Sequence, residues 1–257
     1  MQQTVEKIIR GGGDMLLRHF GKTTKGNDKK FKGDTESDAD RETEQYLVTA
    51  LHHAFPDDAI ITEEHPKFAE PKNGRLWIVD ALDGSRNFIK GIPFFGISIA
   101  LAEGERVIFG MVYLPLQQEL FWAARGSGAF LNGKRIAVKH EEELENTVIP
   151  FLPHYYRSDE QHVMHISQRM IANKIWQFNP GFLVVPLCYT ACGRFDGMIT
   201  LGVSVWDVAG GNIIAEEAGA TVTDESGKPW SWRNDRQNIV AANPVLHKKI
   251  MREIIGT

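Results

Sequence analysis

Two aspartates, Asp80 and Asp83, follow directly on the apolar run Leu76–Val79. The length and continuous apolar character of this run predict a strand covered on both faces, which ends at Asp80, with Asp83 placed after a tight turn. Two carboxylates so close together repel each other unless a cation lies between them, and hard divalent cations prefer carboxylate and carbonyl oxygens. The carbonyl of Leu82, between the two acids, is a further candidate ligand. The spacing therefore indicates a divalent-metal site.

The residues after these acids indicate that the site also holds an anion. Gly84 and Ser85 are expected to open a turn or a short helix, where backbone N–H groups favour a phosphate. The alternative is that Asp83 and Gly84 form an ordinary turn and that Asp80 caps a helix. The apolar strand, the paired acids and the following serine favour a metal–phosphate site over that alternative.

Three further acids stand at the ends of predicted elements. Glu63 follows a short apolar strand at 59–61, Asp40 lies at the start of the second predicted helix, and Asp207 opens a helix near 208–218. Taken alone, Glu63 is an ordinary loop glutamate and each aspartate is an ordinary helix cap. Taken with the first motif, all three are candidates for the same metal site.

The order of predicted elements is two helices, then a strand-rich stretch, then alternating helices and strands, which is typical of layered helices and sheets. In the first helix, Gly11–Gly13 predicts close packing or a kink. The acidic run Glu141–Glu145 is expected to be a solvated connector between two halves, 1–145 and 146–257, of a single unit. Further strands are predicted at 97–102, 107–114, 120–124, 147–151, 175–178, 197–201, 220–223 and 238–241. Further helices are predicted near 160–172, 182–193 and 244–255.

The bulk composition is that of a soluble globular enzyme, since 42% of the 257 residues are hydrophobic and 24% are charged. The net charge of -4, with acids and bases mixed along the chain, gives no indication of nucleic-acid binding. No apolar run is long enough to cross a bilayer, so no membrane partner is expected. The two cysteines, Cys188 and Cys192, make a disulfide framework unexpected, and the expected compartment is the cytoplasm.

Together these motifs resemble the inositol monophosphatase superfamily of magnesium-dependent, lithium-sensitive phosphatases over nearly the whole chain. The segment Asp80–Phe88 is similar to the family's Asp-Pro-(Ile/Leu)-Asp-Gly-Thr run ending in Asn-Phe, with Ala81 for Pro and Ser85 for Thr. The segment Trp206–Ala220 is similar to the family's Trp-Asp-x-Ala motif and the helix after it. The segment Trp122–Gly133 is similar to the family's middle region.

The resemblance implies a layered α-β-α-β-α sandwich of the inositol monophosphatase and fructose bisphosphatase type, usually assembled as a homodimer. It implies that two or three Mg²⁺ ions are held by Glu63, Asp80, the carbonyl of Leu82, Asp83 and Asp207. It also implies catalytic roles for Glu63, Asp40 and Ser85. Asp40 would hold a weaker metal or its water, and Ser85 would orient a metal-bound water for in-line attack on phosphorus. One lysine of the Lys29–Lys32 stretch is expected nearby.

The phosphate and substrate contacts implied by the resemblance are Gly84, Ser85, Arg86, Gly181, Phe182 and Thr200. The family holds a glutamate against inositol hydroxyls six residues before its motif tryptophan, where this chain has Thr200. The family's substrate-contacting Gly-Ser/Thr pair is Gly181-Phe182 here. Both changes remove polar contacts, so the metal chemistry is expected to be kept and inositol monophosphate is expected to be a poor substrate. The loop at 154–157 is the alternative source of the missing contacts.

The resemblance leaves the substrate open. The leading interpretation is a phosphomonoesterase that acts on a small phosphorylated metabolite, similar to inositol monophosphatase. The alternatives within the superfamily are a sugar-bisphosphate phosphatase and a bisphosphate nucleotidase, although the run Asn87–Pro93 is more similar to the inositol branch than to the nucleotidase branch. The alternative from another class is a regulatory or binding protein that keeps the phosphatase fold. The retained acids favour catalysis.

Overall fold

The structure, a computed structural model, describes residues 1–22, 27–28, 35–66, 73–154, 158–234 and 236–256. The helices in these ranges are α1 (Gln2–His19), α2 (Asp38–Ala54), α3 (Ser85–Lys90), α4 (Glu160–Ala172), α5 (Val184–Ala191), α6 (Val205–Glu217) and α7 (Pro244–Lys249), which continues as a π-helical segment (Ile250–Ile255). The strands are β1 (Asn27–Asp28), β2 (Thr35–Glu36), β3 (Ala59–Thr62), β4 (Arg75–Asp83), β5 (Gly96–Glu103), β6 (Arg106–Leu114), β7 (Glu119–Ala124), β8 (Gly128–Leu131), β9 (Lys134–Ile136), β10 (Phe151–Pro153), β11 (Gly197–Val203), β12 (Thr221–Thr223) and β13 (Gln237–Ala242). None of the described helices is long and apolar enough to cross a membrane.

A seven-stranded sheet, in the order β3-β4-β5-β6-β7-β8-β9, dominates the N-terminal half. β3 and β4 run parallel, and each following pair is antiparallel. Side chains of β4 alternate between two cores. Trp77 and Val79 belong to the core shared with α1 and α2, whereas Leu76 and Ile78 belong to the core shared with α5 and α6. Both faces of the strand are covered, which explains why its sequence is a continuous apolar run.

A four-stranded sheet, in the order β10-β11-β13-β12, lies in the C-terminal half. Met198 and Ala241 on one face belong to the core that contains α5 and α6. Ile199 and Val240 on the other face belong to the core that contains α4, α7 and the π-helical segment. The layers are therefore α1 with α2, the large sheet, α5 with α6, the small sheet, and α4 with α7. The predicted α-β-α-β-α sandwich is confirmed.

The glycine run of α1 serves close packing rather than a kink. A Cβ at Gly11 would lie 2.1 Å from the hydroxyl oxygen of Tyr46 on α2, and a Cβ at Gly13 would lie 2.4 Å from the ring of Tyr113 on β6. The helix is continuous from Gln2 to His19. The stability that glycine costs a helix is offset here by the close approach of α1 to α2 and to the large sheet.

Two predicted strands, at 147–151 and 175–178, are wrong. The two segments share a single parallel bridge between Val148 and Trp176, and the strand of this region is β10, which begins at Phe151. Asn146 and Lys174, just before the two segments, both have positive φ values. Left-handed backbone at these positions prevents the extended conformation from continuing before either segment. The division of the chain into halves at 141–145 stays a prediction.

Candidate active site

A β-bulge in β4 brings Asp80 and Asp83 to one cavity. Asp80 lies opposite Ser98 of β5 and Asp83 lies opposite Gly96, so three residue steps on β4 face two on β5. Without the extra residue, side chains three positions apart would lie on opposite faces of the sheet. The prediction that the strand ends at Asp80 is wrong, since β4 continues through the bulge to Asp83. Both aspartates and Leu82 line the cavity.

Backbone N–H groups fix the two aspartates of the bulge. Oδ1 of Asp80 accepts a hydrogen bond from the N–H of Leu82 at 3.0 Å. Oδ2 of Asp83 accepts from the N–H groups of Leu183 and Val184, each at 2.7 Å. The second pair of bonds joins β4 to the start of α5, a hundred residues later in the chain. Asp83 therefore joins β4 of the large sheet to the start of α5.

Burial and mutual repulsion shift the pKa values of these carboxyls. Desolvation is the largest cause of the raised pKa of Asp80, followed by the charges of Asp83, Glu63, Asp207 and Asp40. Burial also raises the pKa of Asp83 to about 7, against the lowering effect of its backbone hydrogen bonds. Four carboxyls therefore lie close enough to Asp80 to raise its pKa, and a cation among them would relieve the repulsion.

Asp40 and Asp207 occupy the same position in two different helices. Ser37 caps α2 and Ser204 caps α6, so each aspartate is the third residue of its helix and not the cap that the sequence alone suggested. The N–H of Asp40 donates to Oγ of Ser37 at 3.1 Å, and Oδ2 of Asp207 accepts from the N–H of Ser204 at 2.8 Å. Negative charge is stabilised at a helix N-terminus. The Ser-x-x-Asp spacing is a capping-box pattern, and this pattern in the sequence predicts a serine cap with the aspartate as the third residue of each helix.

Ser85 connects Asp40 to the cavity. Its hydroxyl lies 3.2 Å from Oδ2 of Asp40 and 2.9 Å from the carbonyl oxygen of Leu82, and its single proton is donated to one of them at a time. Gly84, just before it, has φ of 90°, and a Cβ there would lie 2.8 Å from the carbonyl oxygen of Phe94. Only glycine fits this position, which allows α3 to begin at Ser85.

The cavity has a volume of about 240 Å³. Its acidic part is formed by Glu63, Asp80, Asp83 and Asp207, and the other predicted residues on its lining are Leu82, Gly84, Ser85, Arg86, Gly181 and Phe182. Five further lining residues were not predicted: the apolar Leu152, Pro153, Leu183 and Val203, and the polar Asn179. His154 also lines the cavity, and it begins the loop that was named as an alternative source of substrate contacts.

Thr200 is not brought to the cavity. It is buried within β11, and its hydroxyl donates to the carbonyl of Leu152 at 2.7 Å. The register of β11 against β13 shifts between Thr200 and Val203, and Val203 reaches the cavity instead. Lys29–Lys32 and the loop residues 155–157 lie outside the described part of the chain.

The donor set of the cavity fits a hard divalent cation. Four carboxylates and the Leu82 carbonyl are all oxygen ligands, which Mg²⁺ prefers. Within the described residues, no three acid, histidine or cysteine side chains already converge on one metal position. The fit is therefore one of donor chemistry and charge. Glu63, Asp80, Asp83 and Asp207 are the side chains that would hold the ion.

Comparison with known proteins shows the family of this chain. The model of the inositol monophosphatase family matches residues 1–255. This chain belongs to the inositol monophosphatase family. The family is generally metal-dependent, and the names of its members indicate a phosphatase.

Several relatives cover nearly all of this family member. It is 35% identical over 94% of its length to a protein of Aquifex aeolicus named fructose-1,6-bisphosphatase/inositol-1-monophosphatase, of which 90% is covered. It is 34% identical over 88% of its length to the Nus factor SuhB of Pasteurella multocida, of which 84% is covered. The crystal structure of the extragenic suppressor protein SuhB from Bartonella henselae matches 98% of this chain and 97% of its own, with a TM-score of 0.92 and 32% identity. These names include an enzyme, a Nus factor and an extragenic suppressor protein, so family membership supports the phosphatase fold and leaves the substrate open.

Proposed function

We propose that this chain is a Mg²⁺-dependent phosphomonoesterase that hydrolyses a small phosphorylated metabolite. The observation that supports this most strongly is the group of five carboxyls around the bulge of β4, which Ser85 connects to α2 through Asp40. Like charges that are buried together destabilise a fold unless a cation compensates them. A purely structural role therefore does not account for this group of acids.

The proposed reaction is the attack of water on phosphorus, with cleavage of the bond between phosphorus and the alcohol oxygen. When bound, Mg²⁺ would neutralise phosphate charge and make water more acidic. The Ser85 hydroxyl donates its proton to Asp40, so its lone pairs can accept from the attacking water and orient it. Asp40 and Glu63 are the carboxylates proposed to take up the proton that the water loses. The departing alkoxide takes a proton from solvent.

The phosphate contacts are proposed to come from the N-terminus of α3. The N–H of Gly84 helps to lower the pKa of the adjacent Asp83 carboxyl, so Gly84 is proposed to contribute less to phosphate binding than the resemblance implied. The N–H of Ser85 and the guanidinium of Arg86 are the remaining candidates on this side of the cavity. Arg86 supplies the positive charge that a phosphate requires.

The substrate is proposed to be something other than a bare polyol phosphate. Leu152, Leu183 and Val203 give the lining apolar surface, and such surface leaves the hydroxyls of a cyclitol without hydrogen-bond partners. This support replaces the argument from Thr200, which is buried away from the cavity. His154 and Asn179 are the polar groups that remain to orient the alcohol part of the substrate.

Two alternatives concern this same site. A sugar-bisphosphate phosphatase is suggested by the name of the Aquifex aeolicus relative, and a regulatory factor is suggested by the name of the Pasteurella multocida relative. The phosphatase alternative differs from the proposal only in substrate, whereas the regulatory alternative is a different class of protein, one without catalysis. The acidic cavity supports the first alternative over the second, because a purely regulatory protein has no need for carboxyls that repel one another, three of which, Asp40, Asp80 and Asp83, are buried.

The test is phosphate release by the purified protein from a panel of phosphomonoesters. The panel contains p-nitrophenyl phosphate, inositol 1-phosphate, fructose 1,6-bisphosphate and adenosine 3′,5′-bisphosphate, each with Mg²⁺ and with EDTA. We expect turnover of at least one of them with Mg²⁺ only, and inhibition of that turnover by lithium. Absence of turnover across the panel would favour the regulatory alternative.

The assembly and compartment are proposed from the family and the composition. We propose a homodimer, as the resemblance implies, which sedimentation velocity of the purified chain tests directly. We propose the cytoplasm, because Cys188 and Cys192 are both free thiols and no disulfide joins the described residues.

A further inference from the structure

The turn that carries Glu63 is closed by two hydrogen bonds. The N–H of Thr62 donates to the carbonyl of His65 at 3.2 Å, and the N–H of His65 donates to Oγ1 of Thr62 at 3.0 Å. Glu63 and Glu64 are the two residues between them. The position of Glu63 in the cavity therefore depends on where this turn is held.

Glu44 of α2 contacts the turn at His65. One carboxylate oxygen of Glu44 lies 3.0 Å from Nδ1 of His65. Burial raises the pKa of the Glu44 carboxyl, and the side chains of His65 and Thr62 lower it. Glu44 follows Asp40 by four residues, so the two side chains lie on the same face of α2. Both are buried. A single carboxylate thus ties the turn of Glu63 to the helix of Asp40.

We infer that Glu44 is a positioning residue, which sets the place of Glu63 relative to Asp40 for metal binding. The inference rests on the proposed function, because it takes Glu63 as a ligand. Glu44 is not among the described residues that line the cavity, so it acts through the turn and not by contact with the ion or substrate. Residues that orient metal ligands in this way are typically worth about 10- to 100-fold in metal affinity.

Measurements of metal affinity and of melting temperature together distinguish a positioning role of Glu44 from a merely structural one. A buried carboxylate that only stabilises α2 would lower the melting temperature when replaced and would leave metal affinity unchanged. The partner side chain offers a variant that is safe for folding, since His65 is 80% exposed. A matched control is the Glu225–His162 pair, at 2.8 Å, which is remote from the cavity.

The experiment measures Mn²⁺ binding by electron paramagnetic resonance, because Mn²⁺ shares the oxygen preference of Mg²⁺. We expect Glu44→Ala to weaken Mn²⁺ binding about 10- to 100-fold. His65→Ala should weaken it in the same direction but less, and Glu44→Gln should recover most of the affinity, since its amide oxygen still accepts a hydrogen bond. Glu225→Ala should bind Mn²⁺ as the wild type does. In phosphate release, the loss in Glu44→Ala should be recovered at high Mg²⁺.

Unchanged Mn²⁺ affinity in both Glu44→Ala and His65→Ala would overturn the inference, whatever their melting temperatures. If Glu44→Ala does not fold, His65→Ala decides alone. A wild-type chain that binds Mn²⁺ and hydrolyses phosphomonoesters, together with unaffected variants, would leave the proposed function standing. A wild-type chain that binds no Mn²⁺ would instead contradict the proposed function itself.

Discussion

The hydroxyl of Ser85 lies 3.2 Å from Oδ2 of Asp40, although the two residues are 45 positions apart in the sequence. The contact joins the first turn of α2 to the first residue of α3. The same hydroxyl lies 2.9 Å from the carbonyl of Leu82 in the bulge of β4. One side chain thus connects three elements at the cavity, and its position suits the orientation of a water molecule.

Removal of this hydroxyl should slow the chemical step. We expect Ser85→Ala to lower kcat by roughly 100-fold or more, as for one positioned group that handles a proton. The KM should change less, because the phosphate contacts proposed for Arg86 and the backbone remain. Steady-state kinetics with the best substrate of the panel measures both values.

The matched control for this prediction is Ser226→Ala. Oγ of Ser226 also donates to an aspartate, Asp224, at 2.8 Å, on the exposed surface away from the cavity. Its kcat should equal that of the wild type. An unchanged kcat in Ser85→Ala would show that Ser85 has no catalytic role and only begins α3.

The apolar lining predicts the ranking of substrates. We expect a lower kcat/KM for inositol 1-phosphate than for a phosphomonoester with a planar apolar face, such as p-nitrophenyl phosphate or a nucleotide. Val203→Thr keeps the side-chain shape and places a hydroxyl on the cavity lining, so it should reduce the difference in kcat/KM between the two substrates. The control Val245→Thr, on the exposed surface, should leave that difference unchanged. If inositol 1-phosphate is clearly the best substrate of the panel, the account of the lining is wrong.

The pH dependence of stability is predicted at His247. This side chain is buried, with Nε2 at 2.9 Å from Oγ1 of Thr223, and burial is the largest cause of its lowered pKa. The folded state therefore favours neutral His247. The contribution of neutral His247 to the free energy of unfolding is complete above the ordinary pKa of 6.5, and it is lost as the pH falls from 6.5 through the lower pKa of the folded state. Urea denaturation between about pH 8 and pH 5 should show a smaller fall in the free energy of unfolding for His247→Gln than for the wild type.

The control for His247 is the exposed His52, since His52→Gln should reproduce the wild-type pH dependence. A fall in unfolding free energy that is equal in His247→Gln and in the wild type would show that neutral His247 makes no contribution.

Local sequence pattern was enough for much of the fold. The continuous apolar run of β4 predicted a strand covered on both faces, and the structure places that strand between two cores. The glycine run of α1 predicted close packing or a kink, and the structure shows close packing against Tyr46 and Tyr113. In both cases the cause is the composition of a single element: apolar side chains on both faces of β4, and the missing side chains of the glycines in α1. A short stretch of sequence is enough to show such a composition.

Features that depend on register or on distant partners could not be predicted. The bulge between Asp80 and Asp83 depends on pairing with Ser98 and Gly96, and the register shift after Thr200 depends on β13. No local pattern distinguishes these positions from a regular strand. The resemblance identified the acids of the cavity and Phe182, whereas Leu152, Leu183 and Val203 of the apolar lining became apparent only in the structure.

The central claim is that buried carboxylates of this cavity hold the ion on which phosphate release depends. The most direct measurement is a Mg²⁺ titration of phosphate release by the wild type, by Asp80→Asn and by Asp57→Asn, an exposed control. We expect saturable activation of the wild type and of Asp57→Asn. Asp80→Asn should stay at background at every Mg²⁺ concentration while its circular dichroism shows a folded chain, because a charged ligand is lost. Near-normal turnover of Asp80→Asn in excess Mg²⁺ would contradict the claim.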